Sequence, residues 1–261
     1  MSKMSGGFER REIMFWKRHW READRIWGYG KPFGAIKMKR RFGLLVKMGD
    51  LNKAGQKRPK VLELGCGTGA YTELLAKAGV ELVATDLVSE FVQETRARLR
   101  RLKAEAHKAY RVRRADARRL PFRSSSFDAV VGNSVLHHVA PLEECLAEIY
   151  RVLIPGGRIA FCEPNMLNPH IFLQKNIPVL KRLAGDSPGE TAFVRWRLSD
   201  QLRKGGFTEV GVEPFDFNYP FLPTAVVKII GPIGRAAERL PVVREIAGSV
   251  AISAKKPEVQ R

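Results

Sequence analysis

The sequence predicts an α/β fold built on a mostly parallel, doubly wound sheet. Three observations carry that prediction. A short apolar run, Val61 to Leu64, leads into the glycine loop Gly65-Cys66-Gly67-Thr68-Gly69 and then into helical spacing at Leu74, Leu75 and Ala78. Short apolar runs then alternate with helical patterns as far as Cys162, which requires right-handed crossovers between parallel strands. The second such run, Glu81 to Thr85, closes on an acid, Asp86, as strands do beside a bound nucleoside.

Taken in order, the chain opens with Ile13, Trp16, Trp20, Ala23 and Trp27 at helical spacing over residues 8 to 27. The Gly28-to-Pro32 stretch breaks that helix, and a second runs through Ile36, Phe42 and Leu45 to Met48. Packing on the domain accounts for the tryptophans, while Trp27, Tyr29 and Phe33 offer the lining of a lid. The glycine loop brings backbone N–H groups to a helix start, where no Cβ obstructs a ligand. Its G-x-G-x-G spacing places Ala70 where a dinucleotide fingerprint has its third glycine, so the loop alone does not choose the cofactor.

Ser89 is the expected cap of a helix running to Leu102 with Val92, Thr95 and Leu99 inward. Tyr110 to Arg113 alternates like an exposed edge strand. Phe127 to Val131 forms a fourth strand, Pro141 opens a helix, and Arg158 to Cys162 forms a fifth strand ending in Glu163-Pro164-Asn165. Beyond it lie an irregular stretch to residue 197, a short helix from Leu198, a strand from Thr208 to Phe217 and a last strand from Ser249 to Ala254. Between those strands, residues 218 to 247 set Ala236, Ala237, Leu240, Val243 and Ile246 against arginines, as an interfacial helix does.

With these residues in view, the chain resembles the class I S-adenosylmethionine-dependent methyltransferases of the type-11 group. The resemblance lies in Leu62 to Gly69, Thr85-Asp86, Ala115-Asp116-Ala117 with Leu120-Pro121-Phe122, Ser126 to Val130 and Leu153 to Gly157. It spans roughly residues 58 to 165 with the pieces in order. It implies a Rossmann-like sheet of order 3-2-1-4-5-7-6 with its last strand antiparallel. It divides the chain into a helical N-terminal extension or lid, 1–50, and a methyltransferase domain, 51–261, with substrate-side insertions at 164–197 and 218–247. It implies S-adenosylmethionine as cofactor, with Gly65, Cys66, Gly67 and Gly69 around the methionine part and Glu63 beneath the loop. Asp86, with Leu87 beside it, would accept the ribose hydroxyls; Asp116 and Ala117 would meet adenine, and Asn133 the methionine part. No catalytic residue is assigned: His137 and His138 are candidate general bases, but a histidine after this strand accompanies many chemistries in the group, so neither is expected to be essential as a base. No metal-ligand cluster is visible in the sequence, and methyl transfer needs none.

Composition limits the partners. The chain has 261 residues, a formal net charge of +19 and three cysteines without metal-like spacing, which points to a reducing compartment. The first residues carry no apolar signal run and no stretch nears the roughly 20 apolar residues of a spanning helix. The expectation is a cytoplasmic protein with a peripheral membrane contact. A small-molecule or lipid acceptor is expected, methylated at O, C or N by in-line displacement. The surplus of positive charge suits an anionic membrane surface or RNA. An RNA (tRNA) methyltransferase is thus the alternative, although Gly132-Asn133-Ser134-Val135 lacks the N-P-P-aromatic run associated with exocyclic base nitrogens. A non-catalytic, nucleoside-cofactor-binding or NAD-dependent protein is the third class.

Overall fold

The computed structural model describes residues 2–24, 32–52, 58–102, 110–187, 189–217 and 224–258. Seven strands form one sheet: β1 (Lys60–Leu64), β2 (Glu81–Asp86), β3 (Tyr110–Arg114), β4 (Phe127–Asn133), β5 (Leu153–Pro164), β6 (Thr208–Phe215) and β7 (Ser249–Lys255). Their spatial order is β3-β2-β1-β4-β5-β7-β6, as the resemblance implies. The first five run parallel, and β7 is antiparallel to both β5 and β6.

The apolar runs are nearly continuous because both faces of the sheet are covered. Side chains alternate across it: Leu62, Leu64, Val130, Ile159 and Phe161 enter one core cluster, whereas Val61, Ala129, Val131, Ala160 and Cys162 enter the other. The first cluster is covered by α5 (Leu142–Val152), through Cys145, Leu146 and Ile149, and by α8 (Arg195–Lys204), through Leu198 and Leu202. The second is covered by α2 (Pro32–Met48), α3 (Ala70–Lys77) and α4 (Ser89–Leu99). Ahead of these, α1 (Ser2–His19) passes into a 3-10 turn, Trp20–Glu22, and its Trp16 packs with Ala23, Val88 and Phe91.

Several local expectations are corrected. Val88 is the cap residue of α4 and Ser89 its first helical residue, the Ser89 hydroxyl turning to Glu90 instead of a backbone N–H. Ile36 is exposed although Leu45, on the same helix, is buried, because nine residues place it about 180° around the helix, opposite the face of Gly34, Arg41 and Leu45. The single helical face expected through Ile246 is broken: α9 (Thr224–Ala237) stops before Pro241 and a separate 3-10 turn, Val243–Ile246, follows. Leu240, Val242, Val243 and Ile246 are exposed. Between β5 and α8 lie two short helices, α6 (Pro169–Asn176) and α7 (Pro178–Leu183). Trp27, Tyr29, residues 219–223 and the side chains of Phe33, Val227 and Ile230 lie outside the described residues. No described helix is long and apolar enough to cross a membrane.

The registers Leu64↔Thr85, Leu64↔Gly132 and Asn133↔Cys162 bring the carboxyl ends of β2, β1, β4 and β5 side by side. Gly132 permits the close approach this requires, since a Cβ there would stand 2.7 Å from both Phe161 and Val135 side-chain atoms. Gly132→Ala is therefore expected to lower the urea midpoint, costing roughly 1–3 kcal/mol through overpacking. An unchanged midpoint would show that Phe161 and Val135 move aside freely.

Candidate functional site

A cavity of about 980 Å³ opens at these carboxyl ends. Glu63, Gly65, Cys66, Gly67, Asp86, Leu87, Asp116, Ala117, Asn133, His137 and His138 all line it. Gly69, the remaining predicted residue, does not. It precedes α3 with a φ of 83° and faces Thr95, so its role is in the turn. Gly65 is left-handed too (φ 65°), and an added Cβ would meet Val135 Cγ2 at 2.4 Å. Cys66 is buried; its thiol accepts from Thr95 Oγ1 at 3.5 Å, and burial pushes its pKa well up, so it stays a protonated packing group.

Asp86 sits where β2 ends. Its two carboxylate oxygens accept one backbone N–H each, from Gly67 and from Val88, both at 2.9 Å. A carboxylate has about four acceptor sites, so both oxygens retain capacity for a diol. Asp116 grips Arg118 through Nε and Nη2 (3.1 and 2.8 Å) and also accepts its backbone N–H. Burial raises the Asp116 pKa, but the Arg118 contacts outweigh it and hold the carboxyl below its usual range. Glu63 is different: burial pushes it up to about 8, and its Oε2 is buried without a hydrogen-bond partner. A neutral, orphaned carboxyl beneath a glycine loop suits a ligand that brings a cation or a donor.

The described residues thus fit a nucleoside cofactor with a positively charged tail. Glu63 would face the cationic methionine part and Asp86 the ribose.

The two histidines part company. His137 is buried, with Nδ1 2.5 Å from Glu163 Oε2 and Nε2 3.2 Å from Glu190 Oε1. Burial lowers its pKa, but the charges and hydrogen bonds of Glu163 and Glu190 prevail and raise it to about 9. His137 is therefore a held imidazolium at neutral pH. Its ring centroid lies 4.1 Å from that of His138, whose Nδ1 is 3.1 Å from Glu12 Oε2. His137, His138 and Glu190 bring ligand atoms within 4.8 Å of one another, but Lys175 Nζ already stands 2.5 Å from Glu190 Oε1, where a metal ion would sit.

The structure adds residues that the sequence did not single out. Glu163 accepts Val135 N–H and Leu136 N–H, both at 2.9 Å, as well as His137. Arg41, buried on α2, donates to Asn133 Oδ1 (3.0 Å), Ser134 Oγ (3.1 Å) and Ser249 Oγ (2.5 Å). One turn earlier Lys37 lines the same wall, its pKa drawn down to about 8 by burial and by the charge of Arg41. From the N-terminal extension come Glu12, Phe15 and Trp16. Asp24 fastens that extension to the glycine loop, accepting from Thr68 Oγ1 at 2.5 Å and from Arg98 at 2.8 Å. An acid ending a buried strand, and cations four apart on a helix, were the available signals for Glu163 and for Lys37 with Arg41.

The sequence model of a family described as a methyltransferase domain matches residues 62–161. The chain is similar to the demethylmenaquinone methyltransferase of Streptomyces avermitilis, 28% identical over 179 residues that cover 62% of this chain and 74% of the relative. It is similar likewise to the enzyme of that name from a Parafrankia species, 31% identical over 184 residues, 58% of this chain and 71% of the relative. Among solved structures, a SAM-dependent methyltransferase from Thermotoga maritima superposes with a TM-score of 0.62 at 18% identity, covering 93% of this chain and 99% of the other.

The imidazolium carries a pH prediction. Because the folded pKa of His137 is raised from 6.5 to about 9, its stabilising contribution is complete below pH 6.5 and is lost as pH rises through 9. Urea midpoints measured across that window should fall more steeply for the parent protein than for His137→Gln. Parallel curves would mean that His137 is neutral in the fold.

Proposed function

This chain belongs to the class I S-adenosylmethionine-dependent methyltransferases, and we propose that its acceptor is a reduced, quinone-type aromatic lipid of the demethylmenaquinone kind. The observation that carries the reading is the continuity of the cavity. It runs from the glycine loop past His138 to Ile171 and Leu183, on the helices inserted after β5, and its volume of about 980 Å³ leaves room beyond the nucleoside. The likeness to two demethylmenaquinone methyltransferases supports it.

When bound, S-adenosylmethionine supplies an activated sulfonium methyl group for in-line displacement. The chain's own residues then position and exclude water. Asp86 receives the ribose hydroxyls, Asp116 and Ala117 border the adenine, and Glu63 faces the methionine ammonium. Lys37 and Arg41, beside Asn133, receive the methionine carboxylate. A ring carbon becomes a nucleophile when the neighbouring hydroxyl loses its proton, so one base is useful. His137, already protonated between two carboxylates, cannot take that proton. His138 can: with Nδ1–H donated to Glu12, its Nε2 keeps a lone pair. The N-terminal extension serves as the lid through Glu12, Phe15 and Trp16, and the enzyme works at the membrane periphery, where such lipids reside.

Tritiated-methyl transfer to a short-chain demethylmenaquinol dispersed in detergent tests the acceptor, with total RNA assayed in parallel because of the +19 charge. Label is expected in the organic phase. Label in RNA alone would replace this reading with the nucleic-acid one. His138→Gln should reduce turnover roughly 10²–10⁴-fold with cofactor affinity unchanged. Asp86→Asn should weaken cofactor binding by roughly 1.5–3 kcal/mol, about ten- to a hundredfold, by calorimetry. Equal affinity in that variant would remove Asp86 from the ribose site.

A further inference from the structure

Helices α6 and α7 are built inside out. In α6 the inward positions Gln174 and Lys175 are polar: Lys175 reaches Asp186 (2.8 Å) and Glu190 (2.5 Å), and Gln174 donates to Asp186 at 2.9 Å. In α7 the inward Lys181 donates to the Glu190 carbonyl at 2.6 Å. The outward positions are the apolar ones. Phe172 and Leu173 on α6, Ile177 at the joint, and Val179, Leu180 and Leu183 on α7 are all exposed, Leu183 to 80%. Neither helix contributes a buried residue. A soluble protein's surface helix shows the opposite arrangement.

The apolar surface extends beyond the pair. Asn168 caps α6 by accepting Ile171 N–H at 3.1 Å, and its Nδ2 donates to the Ile246 carbonyl at 2.6 Å. That bond ties the start of α6 to the 3-10 turn Val243–Ile246. There Val242 (83% exposed), Val243, Ile246 and nearby Leu240 also face outward. Arg195 pairs with Glu245 at 2.8 Å and sets exposed Trp196 at the same rim. Exposed large apolar side chains gathered on elements joined in this way are the feature that marks an interaction site.

We propose that this surface, centred on α6 and α7, docks on an anionic phospholipid leaflet and opens the cavity toward it. Charge selects that occupant. Lys175 and Lys181 are spent inward, but Arg182 is exposed on α7, no acid lies between 169 and 183, and the chain carries a net charge of +19. Continuity with the cavity selects it as well: Ile171 and Leu183, on these same helices, line the cavity wall. Residues 240–246, the end of the amphipathic segment expected at 218–247, form the flank of this surface. The proposal rests on the lipid-acceptor reading for its purpose, though not for the docking itself.

Flotation of the full chain with vesicles of equimolar phosphatidylcholine and phosphatidylglycerol tests it, against vesicles of phosphatidylcholine alone. The triple variant Phe172→Ser, Val179→Ser, Leu180→Ser changes exposed positions that do not line the cavity, and its melting temperature and cofactor affinity should match the parent's. The parent is expected to float with the mixed vesicles at low salt, less at high salt, and the variant to lose roughly a hundredfold in partitioning. Proposal and acceptor reading fail separately. On a detergent-dispersed demethylmenaquinol the two proteins should turn over alike, while on the same acceptor embedded in vesicles the variant should fall behind. Absence of turnover on either acceptor, with flotation intact, would discard the acceptor and keep the docking surface. The proposal is overturned if the parent remains in solution at low salt, or if the variant floats equally. It is also overturned if light scattering shows a parent dimer that the variant dissolves, which would make the surface a contact between two copies.

Discussion

Val135 N–H, Leu136 N–H and the His137 ring converge on one fully buried carboxylate, that of Glu163 at the end of β5. An acid in such a place is costly unless all its oxygens are engaged, and here they are. The consequence is geometric. The turn after β4 is fixed by its own backbone to the neighbouring strand, and Val135 is brought to the glycine loop, leaving no space for a Cβ at Gly65 or Gly132. The cofactor loop and the turn carrying the histidines therefore share one wall, and a disturbance of Glu163 reaches both.

From that carboxylate a line of charges runs outward. His137 stands between Glu163 and Glu190, Glu190 accepts from Lys175, and Lys175 pairs with Asp186. These groups alternate in sign, so each member offsets the desolvation of the next. The line passes through Lys175 on α6, whose inner face is polar for this reason. Apolar side chains on α6 have no inner core left to occupy and are turned outward. The inverted helix pair thus follows from how the first buried acid was satisfied, and the roof of the cavity is anchored by charge rather than by a hydrophobic core.

Much of the fold was legible because strands buried on both faces write continuous apolar runs, and glycine and proline mark their ends. Val61–Leu64, Phe127–Val131 and Arg158–Cys162 all fall within observed strands. The sheet order came through the resemblance, since periodicity does not give neighbours. The glycine loop, Asp86 and Asp116 were legible because they are local in sequence. Glu163, Arg41 and Glu12 were not: each acts on residues distant in sequence, Arg41 on Asn133 and Ser249, Glu12 on His138 and Ser187. Two adjacent histidines look alike in sequence. Only the carboxylates reaching them, Glu163 and Glu190 on His137 and Glu12 on His138, make the first a fixed cation and set the second apart. In the 218–247 stretch the apolar count was informative, but Pro241 divided the helix on which the expected face depended.

The charge distribution also bears on the two anionic partners, membrane and RNA, that composition leaves together. Among the described residues, eight acidic side chains line the cavity, Glu12, Glu63, Asp86 and Asp216 among them, against five lysines and arginines and the His137 imidazolium. By formal charge the cavity is the more acidic part of a basic protein, a difference that the neutral Glu63 and the His137 cation narrow, and the positive surplus lies outside it. A polyanion threaded into such a cavity would meet carboxylates, whose like charge repels phosphate. A neutral aromatic ring would not, and it could enter past Ile171 and Leu183 with little electrostatic cost. The positive surplus lies outside the cavity, so any attraction to an anionic partner acts on the exterior, while the cavity's own lining sets what can enter it.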